Sequence, residues 1–257
     1  MSETANRTKT VVKYVVYTDG ACKNNHCSAH ETQRKRMAGS AFVALEKVAH
    51  VDRVLSDIFE QRKCSGADLA HWRTLLVQAQ APFVGAACRD VPLPLPVTPP
   101  NKVSNNRAEL HALNSALAHF LAHRDAQNVA IQMDICIKVD SEYVMKVFGG
   151  AKQWQQNKFR LASGTAVSNA DYVQEMLLYL TALRALGHIV FVEHVPAHLT
   201  EDKCCNSFHT WVDWFGNDVA DRLSNVAAGA QSDVNYSGSS SGSRSGATKG
   251  KKRKRKS

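Results

Sequence analysis

Two β-branched runs in this chain each lead into an aspartate. Val11 to Thr18 (VVKYVVYT) delivers Asp19, and Val129 to Val139 delivers Asp140. Val, Ile, Thr and Tyr suit the half-buried pleat of a strand, so each aspartate is expected where a strand ends. Gly20, directly after Asp19, permits close backbone approach. Two further acids stand in helical settings, Glu109 in SNNRAEL and Asp221 in GNDVADRL. Carboxylates this dispersed meet only in a fold that gathers strand ends and helices at one place, which points to a mixed α/β sheet covered by helices.

The remaining pattern fits that class. A second strand is expected over Met37 to Glu46, after a polar loop from Cys22 to Arg36. Val51, Val54, Leu55, Ile58 and Phe59 recur at helical spacing, as do Leu69, Trp72, Leu76 and Ala79, so two amphipathic helices are expected within 48–100. Five of the seven prolines then crowd into positions 92, 94, 96, 99 and 100, a stiff connector leading to Lys102 and Ser104. Ser104 or Asn106 can cap a helix with the apolar stripe Leu110, Leu113, Leu117, Phe120 and Leu121, and Glu109 falls in its first turn. Asp171 to Leu186 reads as an amphipathic helix, His188 to Val195 as a strand ending near His198, and Asn217 to Ala228 as a short helix carrying Asp221. The expected layout is an unstructured start (1–10), one domain over 11–230 with 48–100 as an insertion, and a Ser/Gly-rich then basic tail (231–257) that cannot bury a core.

Composition narrows the function classes. The chain has 257 residues, 44% hydrophobic and 21% charged, which suits one soluble domain and excludes a large multidomain enzyme. Its formal charge is +9, but 237–257 holds eight Lys and Arg and no acid; setting those aside leaves +1 for the rest. The body is nearly neutral, so the overall pI says little about its active face. Seven cysteines without a regular framework read as free thiols in a reducing compartment. The start carries no secretory h-region, and the most apolar stretch, Met176 to Leu186, is short and interrupted by Arg184; an intracellular protein with no membrane association is expected.

Four carboxylates gathered together suit hard divalent cations with a preference for oxygen ligands. Two such ions, roughly 4 Å apart, can serve an in-line phosphodiester displacement. His198, in VPAHL, has a pKa range suited to moving a proton near neutrality. Each acid also has a structural explanation: Glu109 could complete a capping box with Asn106, Asp221 could favour a helix N-terminal turn, and Asp19 and Asp140 could be turn residues. Asp218 competes with Asp221 as the fourth acid. Cys22, His26, Cys27 and His30, or Cys204, Cys205 and His209, invite a zinc reading, but neither group has paired CxxC spacing.

Taken together, TDGA with Asn25 following, SNNRAEL, VDSEYV, a tryptophan-led segment from Trp154 to Asn169, VPAH and GNDVADRL resemble ribonuclease H of type 1, in that family's order and over most of 11–230. The resemblance implies an RNase H-like five-stranded mixed sheet and an endonuclease that cuts the RNA strand of RNA/DNA hybrids, leaving 5′-phosphate and 3′-hydroxyl ends. It implies two Mg2+ ions, with Mn2+ able to substitute, on Asp19, Glu109, Asp140 and Asp221, with the Gly20 carbonyl as a further candidate ligand. His198 would assist proton transfer or product departure. Asn25, Asn105 and Asn106 match positions that touch the RNA strand, Lys102, Ser104 and Asn169 a pocket for a DNA-strand phosphate, and Trp154 with Phe159 aromatic positions facing the DNA.

The chain also departs from the pattern. The stretch 48–100 is an insertion relative to compact members, read as a packed decoration or a docking arm for a protein partner. The segment 199–216 is long, which would put His198 on a mobile flap. Gln155, Gln156, Asn157 and Lys158 replace a more basic protrusion and Gly150 an aromatic, so modest hybrid affinity is expected of the body, with the basic tail as partial replacement. KKRKRK at 251–256 resembles a nuclear import signal. The expectation is a monomeric, nuclear enzyme, otherwise cytoplasmic. The alternatives are a hybrid-binding protein that has lost cleavage, or a ribonuclease H domain of retroelement origin.

Overall fold

Side-chain alternation along the first strand creates two cores, one on each sheet face. Tyr14 and Val16 point one way and Val15 and Tyr17 the other. The computed structural model describes residues 9–23, 37–47, 49–65, 83–90, 104–123, 126–197 and 199–229. Its elements are β1 (Thr10–Lys23), β2 (Met37–Glu46), α1 (Ala49–Ser65), β3 (Phe83–Asp90), α2 (Asn105–Ala122), β4 (Ile131–Val139), α3 (Glu142–Gln156), α4 (Ala170–Ala185), β5 (Ile189–His194), α5 (Glu201–Cys204) and α6 (Phe208–Ala227). The strands form one mixed sheet in the order β3-β2-β1-β4-β5. The meander β1-β2-β3 is antiparallel, and β1-β4 and β4-β5 are parallel.

One face packs against α2, α3 and α4 around Leu110, Leu113, Leu117, Phe120, Ile135 and Ile137. The opposite face carries α6 and α1. Trp211 and Phe215 of α6 stack on each other and reach Phe59 of α1 and Tyr17 of β1. A polar tie anchors this second layer. Tyr17 Oη donates to Asp213 Oδ1 at 2.9 Å, and Lys138 Nζ bridges Asp213 at 3.4 Å and Glu193 at 2.7 Å. No described helix is long and apolar enough to cross a membrane.

Several boundaries differ from expectation, each for a physical reason. β1 does not stop at Asp19 but continues to Lys23, because pairing with β2 persists through Cys22 and Lys23. The stretch 48–100 is not wholly peripheral. Its α1 buries Val51, Leu55 and Phe59, and β3 adds an edge strand beside β2. The segment 199–216 is no flap, since α6 begins at Phe208 and Trp211 and Phe215 are only 2% and 3% exposed. α3, capped by Ser141 with Val144, Val147 and Ala151 buried, lies outside the elements expected from sequence. The helix expected around Leu69 to Ala79 and the loop after Lys23 lie outside the described residues.

Candidate active site

Asp19 lies within β1, paired with Ala41, and shares the sheet face of Tyr17 beneath α6; Gly20 faces α2 instead. A methyl group at Gly20 would overlap the backbone of Ala108 and Glu109, so the bare α-carbon lets α2 rest directly on the strand. Gly39 does the same for α6. A Cβ there would overlap the Ser224 carbonyl and the Ala228 nitrogen. Asp140 follows β4, whose last pair with β1 is Thr18 with Val139, so Asp19 and Asp140 lie side by side at one level, just beyond the end of the parallel pairing. Two helix contacts and one strand end thus fix three carboxyl groups.

Asp19, Glu109 and Asp140 each offer an oxygen within 4.8 Å of the others, the only such group of metal-ligating side chains among the described residues. Asp221 stands outside this tight trio. It acts on Asp19 and Glu109 through its charge and faces Asp140 across a cavity of about 210 Å3, which Pro196, Leu199, Trp214, Asn217 and Asp218 also line. Asp218 pairs with Arg222 at 3.1 Å.

Burial pushes the Asp19 carboxyl up to about 7; the Ser224 hydroxyl opposes this, and the charges of Asp140 and Asp221 add to it. Burial, then the charges of Asp19 and Asp140, raise Glu109 well above the usual carboxylate range. Glu109 is half-buried as a residue, yet its Oε2 is enclosed and has no hydrogen-bond partner. An orphaned carboxylate oxygen beside two other acids is costly unless a cation completes it. The all-oxygen donor set fits a hard divalent ion such as Mg2+ or Mn2+.

Helix α6 supplies partners that the sequence reading lacked. Asn217 Nδ2 donates to Asp140 Oδ2 at 3.2 Å, Asn225 Nδ2 donates to Asp221 Oδ1 at 3.0 Å, and the Ser224 hydroxyl donates to Asp19 Oδ2. The signal was present, because Asn217, Asp221 and Ser224 recur at i, i+4 and i+7 on one helical face.

Neither Glu109 nor Asp221 serves a helix start. Ser104, not Asn106, caps α2 by accepting from Arg107 N at 3.3 Å, so Glu109 is the fifth helical residue, beyond the first turn, and completes no capping box. Asp221 is far inside α6 and owes nothing to a helix start. Asn105 and Asn106 are exposed at the beginning of α2. Arg107, 2% exposed, grips Asp171 with two bonds of 3.0 and 2.6 Å and lies 4.0 Å over the Tyr172 ring, drawing the N-termini of α2 and α4 together. Asn169 precedes α4 with φ 57°, and its Nδ2 donates to Tyr143 Oη at 3.0 Å. Trp154 and Phe159 are half-buried against the main core. Lys158 and Phe159 both take left-handed φ, 53° and 57°, a strained pair where α3 gives way to the turn before Arg160.

His198, Asn25 and Lys102 lie outside the described residues, although Pro196 and Leu199 on either side of His198 line the acidic cavity. Of the residues read for zinc, Cys204 is fully buried and joins no metal-ligating group among the described residues; His26, Cys27 and His30 lie outside them.

A mixed sheet with an acidic, oxygen-only cluster where its central parallel pair ends defines an α/β protein with a candidate metal-binding triad. Residues 93–229, more than half of the chain, match the RNase H family model, and the chain belongs to that family. Asp19 lies ahead of the matched stretch. No curated protein sequence matches the chain. Among solved structures, the PFV RNase H domain superposes with a TM-score of 0.51 at 14% identity, over 84% of this chain and 94% of that one. LC9-RNase H1, a type 1 RNase H with the type 2 active-site motif, does so with a TM-score of 0.50 at 16% identity, over 86% of this chain and 73% of that one. At such identities the likeness is one of fold.

Proposed function

We propose that this chain is a metal-dependent endoribonuclease that hydrolyses the RNA strand of RNA/DNA hybrids, leaving 5′-phosphate and 3′-hydroxyl ends. The observation that carries the reading is the trio Asp19, Glu109 and Asp140, mutually within 4.8 Å in a chain of the RNase H family. Together with Asp221 and the Gly20 carbonyl, these groups would hold two Mg2+ or Mn2+ ions. Bound there, the ions would supply activation of water and neutralisation of charge on the phosphodiester. The chain's own part is to keep the carboxylates pointed inward, through Asn217, Ser224 and Asn225, and to keep the orphaned Glu109 Oε2 available. His198 moves the proton, a role supported by its neighbours in the acidic cavity.

On the substrate side, exposed Asn105 and Asn106, with Asn25, sense RNA 2′-hydroxyls. Ser104 and Asn169 begin two helices tied together by Arg107 and Asp171, and paired helix N-termini attract anions; with Lys102 they receive a DNA-strand phosphate. Trp154 and Phe159 offer their uncovered faces to the DNA strand. The basic run at 249–256 directs the protein to the nucleus. The test is cleavage of a labelled hybrid with and without Mg2+. Cutting confined to the RNA strand, abolished by chelation and reduced at least about 100-fold by Asp140→Asn, is expected, because even residues behind metal ligands are worth about 10–100-fold. A wild-type chain inert in both Mg2+ and Mn2+ would leave hybrid binding without cleavage as the function.

A further inference from the structure

All three aspartates of the site receive a hydrogen bond from a side chain of one helix: Asp140 from Asn217, Asp221 from Asn225 and Asp19 from Ser224. Of these donors Ser224 has the most restricted setting. It is 0% exposed, sits 205 residues from Asp19 in sequence, and has its backbone pressed against Gly39 of β2. Its hydroxyl has one proton to donate and two acceptors in reach, Asp19 Oδ2 across the helix–sheet contact and the Asp221 carbonyl of its own helix at 2.8 Å; the charged carboxylate is the stronger acceptor. A dry helix–sheet contact needs no hydroxyl, and an alanine would fill the space without a polar atom to satisfy.

We propose that Ser224 is a positioning residue for the metal site: its hydroxyl holds the orientation of the Asp19 carboxylate, so that this ligand is set before a divalent ion arrives. The inference rests on the metal-site reading above. Partners behind metal ligands fix their direction and typically govern affinity by about 10–100-fold.

The experiment compares the full-length wild type, Ser224→Ala and Ser224→Thr. Titration calorimetry with Mn2+ and Mg2+ reads metal affinity, metal-free melting reads the fold, and hybrid cleavage across Mg2+ concentrations separates KM from kcat. Ser224→Ala should bind the ions about 10-fold more weakly or worse and need correspondingly more Mg2+ for half-maximal cleavage. Its hybrid KM at saturating Mg2+ and its metal-free melting should match wild type. Ser224→Thr, which keeps the hydroxyl, should recover most of the affinity. Equal affinity in wild type and Ser224→Ala overturns the inference and leaves the metal site standing. Weakened affinity together with an absent metal-free melting transition assigns Ser224 to the fold and also overturns it. A wild type that binds neither ion removes both the inference and the reading beneath it.

Discussion

At Asp19 burial outweighs every other influence, and the result is a testable pH dependence. Without metal this carboxyl titrates at about 7 instead of 3.8, so between those values the folded chain keeps a proton that the unfolded chain has released. Its contribution to stability is fully present below about pH 4 and is lost as pH rises through about 7. A shift of this size corresponds to roughly 4 kcal/mol. Denaturant unfolding of metal-free protein should therefore show stability falling between pH 5 and pH 8, and Asp19→Asn should flatten the slope; a slope untouched by that change would sink the assignment. Glu109 is shifted in the same direction and adds to the trend. On the proposed metal site, divalent ions would replace these protons, so stabilisation by Mg2+ should be greater at pH 8 than at pH 5. The acids themselves were legible because each sits in its own motif. Ser224 was not, because a serine in a helix has no distinctive propensity and gains meaning only from the strand beneath it.

Among the elements, α6 departs furthest from what the sequence suggested. TEDKCCNSFHTWVDWFG carries polar and charged residues throughout and reads as a loop, yet Trp211 and Phe215, four apart, point to one face and find Phe59 of α1 there. That packing needs α1 in place, which no local pattern reveals. Trp211→Ala should cost about 3–5 kcal/mol in denaturant unfolding, the range for a buried aromatic. It should also weaken metal binding, since the same helix holds Asp221; unchanged metal affinity in a folded variant would mean the two ends of α6 are independent. The link between α2 and α4 can be tested separately. Asp171→Ala strands the buried guanidinium of Arg107 and should cost about 2 kcal/mol, below the 3–5 typical of fully buried pairs because the Asp171 side chain is 44% exposed. If Ser104 and Asn169 do share a phosphate, that variant should raise the hybrid KM with little effect on kcat.

For the molecule as a whole, the order of strands and helices was largely readable from hydrophobic periodicity; α3 and β3 are the exceptions, and β3 is the more instructive. Phe83 to Asp90 (FVGAACRD) mixes glycine, alanine and charge, so nothing in it announces a strand; it becomes β3 by pairing with β2. Charge is divided as sharply as structure, with eight of the nine net positive charges in 237–257. Deleting 237–257 should weaken hybrid binding and flatten the dependence of affinity on salt, by nearly one log unit for each phosphate that the tail neutralises; an unchanged slope would dismiss the tail as a binding arm.

The bare α-carbons at Gly20 and Gly39 carry a consequence for anyone wishing to transplant or evolve this chemistry. Separation between the acids is dictated there by main chain lying on main chain, so no side chain remains to be trimmed or enlarged to retune it. Copying the four carboxylates onto another scaffold without both glycines would reproduce the ligands while losing the spacing that makes them a site.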